Sequence, residues 1–196
     1  MHIGVFLDRD GTIIEEIDFL SNSSDLQLIP SSAEAIRALN TLGIQTFVIT
    51  NQSGIARGYF DEPKLQKIHK QLTECLRNEH AYLDAIYYCP HHIEGTIRRY
   101  RVECRCRKPK TGMLERAVRD FGIDLRKSFV IGDKMTDIQT GKNAGARSIL
   151  VLTGYGNDEL DRLSRNKITP DYVANDLLDA VGYIKRTILT QQPTLQ

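Results

Sequence analysis

Five short apolar runs, each ending in a turn, set the tightest limit on what this chain can fold into. "IGVFLD" (3–8), "QTFVIT" (45–50), "AIYYC" (85–89), "SFVIGD" (128–133) and "RSILVL" (147–152) are rich in β-branched and aromatic residues and too short for helices. Apolar along their length, they read as strands buried on both faces. Between them the apolar spacing becomes helical, over residues 31–43, 62–80, 111–122, 135–144, 158–165 and 175–189. Ser31 and Glu34 have capping-box spacing, Thr111 stands where an N-cap is expected, and Gly43 and Gly122 are C-terminal stops. "DYVA" (171–174) adds a short edge strand. Strand alternating with helix predicts an α/β fold, a Rossmann-like parallel sheet with helices on both faces.

A length of 196 residues suits one domain over 1–196, in which the last residues, 190–196, fray. The net charge of +1 gives no global field toward nucleic acid or membrane. The N-terminal apolar run is too short for a signal peptide, and no stretch has the length of a transmembrane span. The expectation is a cytoplasmic monomer whose thiols stay reduced.

In a parallel sheet of this kind, ligands bind beyond the carboxyl ends of the strands. Here those ends carry Asp8 and Asp10, then Thr50 and Asn51, then Cys89, then Asp133 with Asp137 one helical turn on. Carboxylates brought so close repel one another unless a cation lies between them. Oxygen ligands beside a phosphate suit Mg²⁺.

The thiols make a second constellation. Three of the four cysteines fall in residues 89–108 as Cys89, Cys104 and Cys106, with His91 completing a C-x-H…C-x-C pattern. Three thiolates and an imidazole form a closed tetrahedral set, suited to a structural Zn²⁺ and not to a catalytic one. His92 is an alternative to His91 at this stage. Cys75 lies in a helical pattern among apolar neighbours and reads as a core thiol. Arginines and lysines crowd the same loop, mostly as a solvated basic surface. Arg107 and Lys108 differ, because they directly follow a metal-held cysteine.

"DRDGT", "VITN", the lysine of "RKP" and "IGDKMTD" resemble, in order and at the right strand ends, the four motifs of the haloacid dehalogenase superfamily. The resemblance covers nearly the whole chain and implies phosphoryl transfer through an aspartyl-phosphate. It implies that Asp8 is the nucleophile and that Asp10 is the acid and then the base. Asp10 fits the acid role by pointing away from the metal and holding a proton. Thr50 and Lys108 hold the phosphoryl oxygens, and Lys134 orients the carboxylates with Asp137 in support. The resemblance further implies that Mg²⁺ is held by Asp8, the Asp10 backbone carbonyl and Asp133. The N–H groups of Asp10, Gly11 and Thr12 are available as an anion nest.

"NQSGIARG", "YYCPHH" and "CRCRKP…GML" further resemble the D-glycero-D-manno-heptose-1,7-bisphosphate phosphatases, with histidinol-phosphate phosphatases as the nearest relatives. That implies removal of the C7 phosphate of a sugar bisphosphate, in the making of nucleotide-activated heptose. Where the heptose enzymes carry Asp-His-Gly-Tyr-like residues, this chain has Glu16, Ile17, Asp18 and Phe19. The intervals from Asp10 to Thr50 and from Thr50 to Lys108 leave no room for a cap domain. Substrate is therefore met by loops: Glu16, Ile17, Asp18 and Phe19; Asn51, Gln52 and Ser53; and Arg107 and Lys134. Histidinol-phosphate phosphatase is the alternative enzyme. A zinc-stabilised nucleic-acid-binding module is the alternative of another class, and the near-neutral charge and the scarcity of aromatics in the basic loop count against it.

Overall fold

The computed structural model describes residues 2–190; of the residues expected to fray, Thr190 ends a helix and 191–196 lie outside the described residues. Six strands form one parallel sheet: β1 (Gly4–Leu7), β2 (Gln45–Asn51), β3 (Ala85–Cys89), β4 (Phe129–Gly132), β5 (Arg147–Val151) and β6 (Tyr172–Ala174). Their order across the sheet is β3-β2-β1-β4-β5-β6. The chain steps outward from β1 to β3, returns, and leaves on the other side from β4. The direction reverses between β1 and β4, which opens a crevice at their carboxyl ends.

Among the described residues, seven α-helices accompany the sheet: α1 (Ser32–Thr41), α2 (Ser53–Arg57), α3 (Glu62–Asn78), α4 (Gly112–Phe121), α5 (Met135–Ala144), α6 (Gly156–Arg165) and α7 (Leu177–Thr190). Alternation along each strand decides what each face meets. Val5 and Leu7 join Val48, Ile131 and Ile149 in a core closed by α1, α3 and α7. Phe6 points the other way, stacks on Phe47 at 5.1 Å, and shares a core with α4. Farther along that side, Leu150 packs against Ile138 of α5 and Leu163 of α6. β1 and β4 are buried on both faces, as their unbroken apolar sequences require. Truncating Phe6 to alanine costs about 3–5 kcal/mol.

Two local expectations are corrected. Ser31 stands at the N-cap of α1, but with φ 65° and no side-chain cap bond, so the capping box is not made. Its hydroxyl instead donates to Asp176 (3.3 Å), a tertiary partner from the other end of the chain. Thr111 precedes α4 without capping it, because its hydroxyl donates to Glu115 at 2.8 Å. The short helix α2 was not legible at all: five residues are too few to show a period. No segment between β1 and α4 forms a cap over the crevice; loops, α1, α2, α3 and the strands β2 and β3 fill those intervals. Among the described residues, no helix is long and apolar enough to cross a membrane.

Candidate active site

The crevice between β1 and β4 is where the carboxylates meet. Asp8 extends the β1–β4 ladder by one bond, its N–H donating to the Ile131 carbonyl at 2.9 Å. Its Oδ1 accepts from the Arg9 N–H (2.8 Å) and faces Lys108 Nζ (2.9 Å). Asp133, one residue past β4, is fully buried. Its Oδ2 accepts the Tyr155 N–H at 2.9 Å, while its buried Oδ1 has no partner. Asp137, in the first turn of α5, accepts the Lys134 N–H on Oδ2 (3.1 Å) and pairs through Oδ1 with Lys108. One oxygen from each of Asp8, Asp133 and Asp137 falls within 4.8 Å of the others.

Burial and then the charge of Asp8 push Asp133 up to about 8. Burial also pushes Asp137 up to about 6, with Lys108 working against it. An orphaned carboxylate oxygen amid mutually repelling acids fits a divalent cation bound through oxygen. Gly11 makes this proximity possible. Its φ is 77°, and a Cβ there would strike the Asp133 carboxylate.

Lys108 is the counter-charge. Its Nζ is buried, donates to the Ile49 carbonyl (2.9 Å) and bridges Asp8 and Asp137. Burial disfavours its charge, but the two carboxylates outweigh that and raise its pKa. Asn51 fixes the backbone that carries it. The Asn51 amide donates to the Lys108 carbonyl (3.2 Å) and its oxygen accepts the Lys108 N–H (3.0 Å). Asn51 lines the cleft as expected, and its side chain is occupied in holding Lys108.

Asp10 differs from the expectation of a proton-holding acid. Burial raises its pKa, but the Arg9 guanidinium, the Lys134 charge and the Gln52 hydrogen bond together outweigh this and the net shift is downward. Arg9 Nε and Nη2 donate to Asp10 Oδ1 at 3.1 and 2.8 Å, and Gln52 Nε2 donates to Oδ2 at 2.9 Å. The same Gln52 nitrogen reaches Thr50 Oγ1 at 2.8 Å, and Thr50 lies 3.5 Å from Asp10 Oδ2. Gln52 is therefore largely a buried tie between two site residues. The expected nest is corrected as well. The Gly11 N–H donates to Ile14 and the Thr12 N–H to Arg9, so both are spent inside the turn.

The loop after β3 gathers four ligand atoms. Sγ of Cys89 lies 3.5 Å from that of Cys104, which lies 3.3 Å from that of Cys106. His91 Nδ1 is 3.4 Å from Cys106 Sγ and 3.8 Å from Cys89 Sγ. Zn–S bonds of about 2.3 Å give tetrahedral edges of about 3.8 Å, so the set is close to the size zinc requires. Pairing with Cys89 lowers the Cys106 thiol to about 5 and raises that of Cys89. His92 points elsewhere: its Nδ1 accepts the Glu94 N–H and its Nε2 faces Arg57. Arg107 Nη1 donates to the His91 carbonyl at 3.2 Å, which fastens the next side chain to the same cluster.

These parts frame a cleft of about 460 Å³. Every residue expected to meet substrate lines it, from Glu16–Phe19 through Asn51–Ser53 to Arg107 and Lys134. Lys134 pairs with Glu16 at 2.6 Å and stands 4.0 Å from Asp133. Burial raises the pKa of Glu16 against the pull of Lys134. Arg9, Thr136 and Tyr155 also line the cleft and were not foreseen. Arg9 lies between two motif aspartates, and that position is the one signal the sequence offered. Tyr155 comes from the loop after β5, which holds no recognisable motif.

A family model described as HAD-hydrolase-like matches residues 105–180. "D-glycero-D-manno-heptose-1,7-bisphosphate 7-phosphatase" of Thermosynechococcus vestitus is 42% identical over 184 residues, covering 92% of this chain and 94% of the relative. "D-glycero-beta-D-manno-heptose-1,7-bisphosphate 7-phosphatase" of Escherichia coli K12 is 37% identical, with 93% of each chain covered. The crystal structure of D,D-heptose 1,7-bisphosphate phosphatase from B. bronchiseptica, complexed with magnesium and phosphate, superposes with a TM-score of 0.83 at 30% identity. It covers 94% of this chain and 99% of its own. Strand order, carboxylate crevice and sequence together define a phosphatase of the haloacid dehalogenase type. Within that class, the chain belongs to the D-glycero-D-manno-heptose-1,7-bisphosphate 7-phosphatase family.

Proposed function

We propose that this chain hydrolyses the C7 phosphate of D-glycero-D-manno-heptose 1,7-bisphosphate through an aspartyl-phosphate on Asp8. The observation that carries the reading is a buried carboxylate held through one oxygen beside Lys108, with Arg107 and Lys134 on the walls of the same cleft. Both partners of Asp8 lie on Oδ1, which leaves Oδ2 to attack phosphorus. Lys108 neutralises charge gathering on the phosphoryl oxygens. Asp10 protonates the departing sugar oxygen, then takes a proton from the water that opens the aspartyl-phosphate. For the first step it must gain a proton, and the negative phosphate arriving beside it favours that uptake. Gln52 and Thr50 hold Asp10 in place for both steps.

Asp8, Asp133 and the Asp10 carbonyl are the proposed ligands of Mg²⁺, which when bound offsets charge on the transferring group. Cys89, His91, Cys104 and Cys106 are the proposed ligands of a structural Zn²⁺. Such thiolates suit a reducing compartment, so the cytoplasm is the proposed place of work. The second phosphate of the substrate meets Arg107 and Lys134. The test compares kcat/KM for both anomers of the heptose bisphosphate with that for histidinol phosphate. The bisphosphate is expected to lead by about 100-fold or more, since histidinol phosphate lacks the second anion that Arg107 and Lys134 would grip. A preference for histidinol phosphate overturns the substrate assignment.

A further inference from the structure

Two buried nitrogens on the α3 side of the sheet have no hydrogen-bond partner: Nη1 of Arg9 and Nε2 of His69. Arg9 is 1% exposed and His69 6%. His69 belongs to the inward row of α3, whose buried residues are Leu65, Ile68, His69, Leu72 and Leu76. The other four are aliphatic, and Ile68 and Leu72 share a core with Leu7 and Val48. An imidazole in that row leaves a nitrogen unsatisfied where leucine would leave none, so stability does not account for it.

Its surroundings do. Val5 and Leu7 face the core that α3 closes, and the alternation carries Arg9 to the same side. On β2 it carries Thr50 there after Val48, and Tyr88 of β3 stands opposite Thr50 in the ladder. The rings of His69 and Tyr88 meet with centroids 5.7 Å apart. Thr50 and Arg9 both lead to Asp10, at 3.5 and 2.8 Å. Burial, followed by the Arg9 charge, holds the pKa of His69 down to about 3, with Asp10 working the other way. The imidazole is therefore neutral and keeps a lone pair for a donor. Arg9 has spent Nε and Nη2 on Asp10, and Nη1 is the nitrogen it has left. A neutral acceptor suits that nitrogen, since a second carboxylate would compete with Asp10 for the guanidinium charge. One water between the two orphaned nitrogens satisfies both. We infer that His69 is a positioning residue for the acid step: from behind Arg9 it steadies the guanidinium that aims Asp10 at the leaving oxygen. It touches no reacting atom and acts through Arg9. The inference rests on the reading of Asp10 as the acid.

The experiment compares kcat/KM for two leaving groups, since only the poor one needs a proton from Asp10. The poor one is the alkyl phosphate that the wild type prefers, heptose 1,7-bisphosphate or histidinol phosphate. The good one is p-nitrophenyl phosphate. His69→Leu suits the aliphatic row and removes the acceptor. Its kcat/KM is expected to fall about tenfold on the alkyl phosphate and by less than about twofold on p-nitrophenyl phosphate. His69→Gln restores an acceptor and is expected to recover most of the loss. His69→Met carries the same comparison if His69→Leu does not fold. Equal losses on the two substrates, or none on either, overturn the inference, as does a His69→Gln protein no better than His69→Leu. Asp10→Asn, measured alongside, separates this claim from the one beneath it. If Asp10→Asn depends on the leaving group and His69→Leu does not, the inference alone fails. If Asp10→Asn loses both rates equally, the acid reading fails and takes the inference with it.

Discussion

Asp8 and Asn51 show two ways a residue can matter here. Asp8→Asn keeps the shape of the side chain and removes the attacking oxygen and a metal ligand together. Phosphate release is expected to fall by about 10⁴-fold or more, with the circular dichroism spectrum unchanged. Near wild-type release would refute the aspartyl-phosphate route. Asn51 acts at one remove, through two hydrogen bonds to the Lys108 backbone. A shift of about 1 Å in a charged group at the reacting centre can cost ~100-fold in rate. Asn51→Ala is therefore expected to lower kcat by about that factor with a much smaller change in KM, and steady-state kinetics reads the split. An effect confined to KM would assign Asn51 to substrate binding instead. The type of residue at each position was legible in the sequence; which polar atom each one faces was not, because that depends on neighbours 40 or more positions away.

At the scale of elements, the loop joining β3 to α4 carries the most consequence for its length. It has little apolar material of its own, and its four ligand atoms are what can fix it. Cys104→Ser is expected to lose zinc, about one ion per chain, together with most activity, although Cys104 belongs to the zinc set and not to the reacting groups. Without the metal the loop regains conformational freedom, and the cost of ordering Lys108 falls on catalysis. Cys75 sits on α3, where its sulfur accepts from Gln71 (3.5 Å), far in role from the cluster. Cys75→Ser is expected to keep its zinc. Metal analysis beside kinetics separates the outcomes. A zinc-free Cys104→Ser enzyme with full activity would remove the positioning role, and zinc loss in Cys75→Ser would mean the wrong thiols were chosen.

Across the whole molecule, folding concentrates acids that repel one another, and pH exposes the cost. Burial, then the Asp8 charge, lifts Asp133 to about 8; burial against the pull of Lys108 leaves Asp137 at about 6. Both stand above their unfolded value of 3.8, so the metal-free native state keeps protons that the unfolded chain has released. Their contribution to stability is present in full below pH ~4 and declines as pH rises toward ~8. A divalent cation replaces those protons. The rise in Tm on adding Mg²⁺ is therefore expected to be larger near pH 8 than near pH 5, and differential scanning fluorimetry at both values checks it. An equal rise at both would show that the cation binds away from the acids. The sequence by itself determined the strands, the helices they alternate with, and the carboxylates and cysteines placed at strand ends, because buried strands need unbroken apolar runs and reactive groups need turns. It did not determine that Ser31 would leave its helix for Asp176, that Gly11 would spend its N–H on Ile14, or that Arg9 would hold Asp10 ionised. Tertiary structure decided the first, since Ser31 and Asp176 meet only when α1 and α7 pack together; the other two are contacts within the turn after β1, whose backbone is pressed against Asp133 at the end of the neighbouring strand.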